Sequence, residues 1–421
     1  MRLRSRAGKS SPEALADDLE LVRGLLDQGL TTEARSRLNL LLAQTRTQPA
    51  LLAQARWALS LALEMQGQYR ESLDAVAMYE DPEARAKLDP TLSARLRVQI
   101  ALAYNYNQDH PKAVALLKAT QRDVPEDGAE AGAVYAALAR VYRSISEYPI
   151  ARDYSHRALE SYRLSGDWRG LSESYFGLGV ADIQEGKTEQ SLENFGQALK
   201  LIGDHPASFQ LGRIYSNMAG ACWFLKQPQE GIRYLEKATG YYERTDHKKS
   251  AADAYNNLGV NLVLIGQWDR GQEALERALA LATEADNQGA EVPMILDSLG
   301  ELCTLRGDLD EAESYLQRAV TLANERGNKW YQGQTQRTLG RCYLAMKRGA
   351  EARATAKTAL ELAEFIGDRQ AICESRLLLA EAFLECGATD ESAANVQKLA
   401  QLITDSPTDL LLSGEAQRLH G

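Results

Sequence analysis

The chain has 421 residues, 44% hydrophobic and 25% charged, with Lys+Arg 48 against Asp+Glu 58 for a net charge of −10. It is too apolar for a disordered chain, and its charge has the wrong sign for general binding to phosphate backbones or anionic membranes. Five cysteines with no CxxC pair argue against a disulfide framework or a thiolate zinc site, and no run of about 18 apolar residues could span a membrane.

The chain opens on MRLRSRAGKSS, which is basic but is followed by no apolar stretch, so it does not read as a secretory signal. The expected location is therefore cytoplasmic. Residues 1–12, with Arg2, Arg4, Arg6 and Lys9, read as a disordered basic tail. From there to residue 403 the pattern is periodic. Small residues recur early in the second helix of ten helix–turn–helix units, at Ala34, Ser72, Ala113, Ala151, Ser191, Gly231, Gly271, Ala312, Ala352 and Ser392, always 38 to 41 residues apart. Only Gly, Ala or Ser lets two helices of a hairpin cross closely. A second small residue is therefore expected twelve positions earlier, on the first helix. It stands there nine times, at Ser60, Ala101, Ala139, Gly179, Ala219, Gly259, Gly300, Gly340 and Ala380, with Val22 the exception.

Gly29, Gly67, Gly186, Gly266, Gly307 and Gly387 mark the turn between the two helices, where a left-handed residue ends the first. A third small site, Ala158, Ala198, Ala238, Ala278, Ala319 and Ala359, makes repeats four to nine the most regular, and the outer repeats read as caps. The pattern is interrupted near 80–91 and 121–130. No Pro/Ser-rich linker divides the chain and strands are nearly absent. Each repeat of such an array buries its apolar face on its neighbours, so one solenoid domain over 13–403 is expected despite its length. Residues 404–421, with Leu410, Leu411 and Leu412, read as a capping segment or tail.

These motifs resemble the tetratricopeptide repeat (TPR) family over about residues 14–403. The period of about 40 exceeds the basic 34-residue unit. The longer helices, with Gly166-Asp167, Gly203-Asp204, Gly327-Asn328 and Gly367-Asp368 between repeats, look like the extended repeats of kinesin light chain, LGN-type adaptors and MalT-like or Rap-like bacterial regulators. The resemblance implies an all-α, right-handed superhelical solenoid whose first helices line a concave groove. Members of the family hold peptides, helices or other proteins in that groove.

No P-loop, dinucleotide-binding glycine motif, HExxH, GxSxG or kinase signature occurs, so neither an enzyme nor a cofactor or metal is expected. The five histidines are scattered and read as solvated side chains or caps. Cys222 and Cys303 share a first-helix register and read as small core residues.

In a TPR-like hairpin, first-helix positions −6, −3, −2, +1 and +4 from the small residue should face the groove. The −2 register holds Asn217, Asn257, Ser298 and Thr338, a candidate polar ladder for a peptide backbone, with Asn256 adding a second amide. In the −3 and +1 registers Asp297 and Glu301 precede Arg337 and Arg341, which predicts Asp297 opposite Arg337 and Glu301 opposite Arg341 or, on the sharper reading, an Arg pair that clamps a carboxylate. Arg140 and Arg143 face Val180 and Ile183 in the next repeat and read as an unpaired basic patch. Trp223 is the candidate aromatic anchor, Phe224, Tyr106 and Trp57 likewise fall at or beside inward registers, and Trp268 reads as packing at its turn.

The function these residues point to is a non-enzymatic scaffold that binds a peptide or protein partner in the groove of repeats four to nine. The alternative is a regulatory sensor of a peptide or small molecule, controlling an effector in trans. Self-assembly through the leucine-bearing tail is a third possibility, and the oligomeric state stays open.

Overall fold

A computed structural model of the chain describes residues 11–126, 128–286, 289 and 291–404. The basic tail and the Leu410–Leu412 segment lie outside the described residues. Those residues form helices and turns with no strand, an all-α helical-repeat fold. No helix among them is long and apolar enough to cross a membrane.

The helices fall into two compact units, residues 1–247 and 248–421. In the first unit the hairpins are α1 (Pro12–Gln28) with α2 (Thr31–Gln44), and α3 (Pro49–Met65) with α4 (Tyr69–Val76). After the short α5 (Pro82–Arg85) come α6 (Pro90–Tyr106) with α7 (His110–Asp123), and α8 (Ala129–Ser144) with α9 (Tyr148–Ser165). The unit ends with α10 (Trp168–Gln184) and α11 (Thr188–Ile202), then α12 (Ser208–Phe224) and α13 (Pro228–Tyr242). The second unit pairs α14 (Lys248–Leu264) with α15 (Trp268–Asp286) and α16 (Glu291–Arg306) with α17 (Leu309–Arg326). It continues with α18 (Lys329–Ala345) and α19 (Gly349–Ile366), then α20 (Arg369–Glu385) and α21 (Thr389–Thr404).

The small-residue ruler marks where the hairpins cross. All ten second-helix positions and their first-helix counterparts are buried. Ser72 donates to the Ser60 carbonyl at 2.8 Å, and Ser392 to the Ala380 carbonyl at 2.9 Å. At Gly300 an added Cβ would lie 2.4 Å from Leu316 Cγ, so only hydrogen fits. The turn five residues before the ruler is left-handed in every repeat: six glycines serve as expected, and Gln108, Ser146, Lys226 and Lys347 take the same positive φ in the other four. Asp167, Asn328 and Asp368 of the inter-repeat linkers cap the helices that follow them. Repeat two departs in that Pro82 opens a separate short helix after the second helix has ended. Its second helix is only eight residues long, followed by a 3₁₀ turn at Ala77–Glu80 and the short α5, which Asp81 caps.

The first unit also closes on itself. Helix α1 packs against α12, and the Asp246 carboxylate just after α13 caps the start of α2, 215 residues back in the chain. It accepts from the Thr31 N–H at 3.1 Å, the Thr31 hydroxyl at 2.8 Å and the Thr32 N–H at 2.6 Å. Burial acts to raise the Asp246 pKa, but these donors override it and hold the carboxyl below its ordinary value. Arg169 pairs with Asp27 at 2.5 Å beside this junction. Gly29 is needed here for space as well as for its φ of 79°, since a Cβ would meet Thr245 Cγ2 at 2.8 Å. His247, expected to be solvated, is instead buried and stacked on Phe209, and burial pushes its pKa down to about 4 against the pull of Asp246.

Candidate functional site

Inside the first unit, charged side chains from four first helices meet. Arg140 on α8 donates to Glu173 on α10 at 2.7 Å, to the Tyr106 hydroxyl at 3.0 Å and to Glu64 on α3 at 3.4 Å. Arg213 on α12 reaches the other oxygen of Glu173 at 3.4 Å and lies over the Phe176 ring. Gln99 on α6 donates to Glu64 at 2.8 Å. Burial works to raise the Glu173 pKa, yet Arg213, Arg140 and Arg143 outweigh it, and the carboxyl sits below its ordinary range. Arg143, one turn after Arg140, makes only a long contact of 3.4 Å to the Gly177 carbonyl. Burial and the neighbouring Arg140 lower its pKa to about 10.

The basic patch expected at Arg140 and Arg143 thus needs correction by half. Arg140 is neutralised from position −6 of the next repeat, Glu173, and from position +4 of repeat two, Glu64, rather than from the sites that Val180 and Ile183 occupy. Asn217, on the same face of α12, donates to the Arg213 carbonyl at 2.9 Å. Trp223 is 44% exposed and Phe224 is 61% exposed at the end of α12, so neither belongs to the core. Tyr106 stacks on Tyr69, while Trp57 packs into the core of the first repeats.

In the second unit the first helices α14, α16, α18 and α20 present a different wall. Register −3 holds Asn256, Asp297 and Arg337, all buried. Arg337 does not face Asp297 as expected. It turns to the following repeat and pairs with Glu374 at 3.2 Å, and it also donates to Gln334. Asp297 Oδ2 accepts from the Gln334 amide at 3.4 Å, the Thr338 hydroxyl and the Arg337 charge also favour its ionised form, and its Oδ1 is buried with no hydrogen bond among the described residues. Asn256 Oδ1 is in the same condition. Burial, then the charge of Glu301, raises the Asp297 pKa to about 7. Asp253 on α14 is likewise raised to about 7, by burial and by Glu291.

The expected Glu301–Arg341 pair is present at 4.0 Å, with both side chains about half exposed. The polar ladder is uneven: Asn257 is exposed, Ser298 half-buried and turned back to the Met294 carbonyl, and Thr338 buried. Trp268 is 39% exposed. Cys222 and Cys303 are buried core residues, as their register implied. Among the described residues no group of three or more His, Cys, Asp or Glu side chains is placed to hold a metal ion.

The residues missed by sequence reasoning, Glu173, Arg213, Asp253, Gln334 and Glu374, all stand six positions before their small residue, and Glu64 four after its own. Both registers were identified as inward-facing, so reading them down the repeats would have found these side chains.

The tetratricopeptide-repeat model matches residues 130–202, 210–284 and 250–325. Among solved structures, the chain is similar to the apo form of the quorum sensor NprR from B. thuringiensis, at 13% identity and a TM-score of 0.55, over 84% of this chain and 99% of that one. It is similar to the apo form of RapI at 12% identity and a TM-score of 0.55, over 84% and 98%. Aspartyl phosphate phosphatase F from Bacillus subtilis matches at 15% identity and a TM-score of 0.51, over 94% and 95%. At these identities the likeness is one of fold, an all-α array of repeated helical hairpins. Residues 130–202 and 210–325 therefore carry tetratricopeptide repeats, and the fold of the chain resembles that of NprR and RapI.

Proposed function

We propose that this protein is a non-enzymatic interaction module that binds a peptide or protein partner on the first-helix wall of its second unit. The observation that carries this reading is the Asp297 carboxyl, 6% exposed with one oxygen that no donor among the described residues satisfies, beside the exposed Asn257, Glu301 and Arg341. A buried acceptor without a partner costs about 1–3 kcal/mol. A bound chain supplying N–H groups or a cationic side chain relieves that cost, and exposed Leu264 and Leu305 at the ends of α14 and α16 offer apolar contact nearby.

The fold likeness adds a regulatory colour: NprR is a quorum sensor, and a Rap protein of 15% identity has been solved in complex with competence and sporulation factor. A carboxyl poised near pH 7 suits a wall whose charge changes when a ligand arrives, which favours the sensor version of the reading.

The test is capture of partners by wild type against an Asn257→Ala, Glu301→Ala, Arg341→Ala variant of unchanged melting temperature. A partner lost by the variant supports the wall as the site, and equal capture by both rules it out. A change in scattering radius on adding the captured partner would separate sensor from scaffold.

A further inference from the structure

Among the described residues, nine buried side-chain polar atoms have no hydrogen-bond partner. Six are arginine, serine or histidine atoms spread over both units. The other three are carbonyl or carboxylate oxygens: Asn256 Oδ1, Glu291 Oε2 and Asp297 Oδ1. All three stand on α14 and α16, first helices that pack against each other, and Asn256 and Asp297 are 3% and 6% exposed. This stretch of wall is short of donors.

Its charge is unbalanced in the same sense. Asp253 stands one turn before Asn256 on α14. Among the described residues Asp253, Glu291 and Asp297 have no cation within 4.0 Å. Lys249 bears on Asp253 only from a distance, while Arg337 is held by Glu374 and Arg341 by Glu301. Like charges crowd together instead. Burial and then Glu291 raise the Asp253 pKa to about 7, and burial and then Glu301 raise that of Asp297 to about 7. Thr338, Gln334 and Arg337 pull Asp297 the other way without overcoming this. Tyr331 on α18 borders the same group, since Asp253 and Glu291 add to burial in raising its hydroxyl.

The group that completes such a wall donates, carries positive charge and accepts nothing. An ammonium fits, with three N–H donors and no acceptor on a compact charge. A carboxylate or phosphate would add acceptors and negative charge where both are already in excess. Asn257 and Glu301 are exposed and Asp253 is only partly buried, which leaves an approach from solvent.

We propose that α14 and α16 capture an ammonium group of a peptide partner, from a lysine side chain or the amino terminus, between the Asp253 and Asp297 carboxyls. This rests on the wall being the partner's site and adds what that partner carries. Capture releases protons, because a cation favours the ionised form of both carboxyls. With both near 7, binding at pH 7 frees about one proton in all, and affinity rises from pH 5 to pH 8.

The experiment is calorimetry on the full chain at pH 7, in two buffers of different ionisation heat, with three pentapeptides. Acetyl-Ala-Ala-Lys-Ala-Ala-amide carries a side-chain ammonium, Ala-Ala-Gln-Ala-Ala-amide a terminal one, and acetyl-Ala-Ala-Gln-Ala-Ala-amide neither. Saturable, proton-releasing binding of a charged peptide and none of the neutral one supports the assignment. Which charged peptide binds tells side chain from terminus. Asp253→Asn and Asp297→Asn should each weaken binding about tenfold and halve the proton release. Both remove a repelled charge, so neither should melt below wild type at pH 8. Glu361→Gln removes the same charge from an exposed ion pair on α19 and should bind like wild type. No saturable binding by wild type, equal binding of the neutral peptide, or undiminished binding in both Asn variants would overturn the assignment. If the Asn257→Ala, Glu301→Ala, Arg341→Ala variant still lost its partner in that case, the wall would stand and only the ammonium would fall.

Discussion

The two units use one repeat in opposite ways. In the first, charged side chains from helices far apart in sequence neutralise one another: Arg140 meets a glutamate 76 residues away, and Asp246 caps a helix 215 residues back. In the second, no ion pair among the described residues reaches beyond the neighbouring repeat, as with Arg337 and Glu374 or Arg341 and Glu301, and the Asp297 carboxyl has no cation within 4.0 Å. The hairpin and its crossing point are the same in both. The contrast therefore lies in the inward registers, where closure gives buried charges of the first unit distant partners, while the Asp297 carboxyl of the second has no ion pair among the described residues.

The sharpest way to break the comparison is to open the first unit. Asp246→Ala removes a cap and leaves the Thr31 and Thr32 donors without an acceptor, so it should cost about 2–3 kcal/mol. Hydrogen exchange should report that loss in α1 and α2 and leave α14–α21 unaffected. Acid should act in the same direction. A histidine whose folded pKa is depressed to about 4 loses its contribution as pH falls below its unfolded value of 6.5, so His247 weakens the junction between roughly pH 6.5 and 4. In a His247→Gln chain that part of the pH dependence should disappear.

The second unit should answer with the opposite sign. The folded pKa of Asp297 lies above its ordinary value of 3.8, so stability falls as pH rises from there through about 7. Asp297→Asn should therefore stabilise the chain at pH 8 by on the order of 2 kcal/mol and by much less at pH 5. Melts at the two pH values compare variant and wild type directly, and a gain independent of pH would show that the carboxyl is already ionised at no cost. The smallest effects should be common to both units. Lys226→Gly and Lys347→Gly each relieve a left-handed turn and should stabilise by about 0.5–1 kcal/mol, measured by denaturant midpoints.

The sequence made the hairpins legible because close crossing admits only small residues, and the turn glycines were visible for the same steric reason. Lys226, Lys347, Ser146 and Gln108 hid four of the turns, since tertiary packing imposes the left-handed conformation there without a glycine to announce it. Inward registers could be read, but partners could not. Whether Arg337 turns to Asp297 or to Glu374 depends on which neighbouring repeat its long side chain reaches, and both carboxylates lie in allowed registers. The junction of Asp246 with Thr31 was invisible, because nothing in a 40-residue period says when a curved array will meet its own beginning.

That junction also bears on how the protein is made. Synthesis runs at roughly 5–20 residues per second, so Thr31 leaves the ribosome about 10–40 seconds before its acceptor 215 residues later has been added. Each hairpin can form as it emerges, yet the start of α2 must wait, uncapped, for the sixth repeat. The opening hairpin of the nascent chain is thus the longest exposed, and its final stability arrives in one step when Asp246 docks.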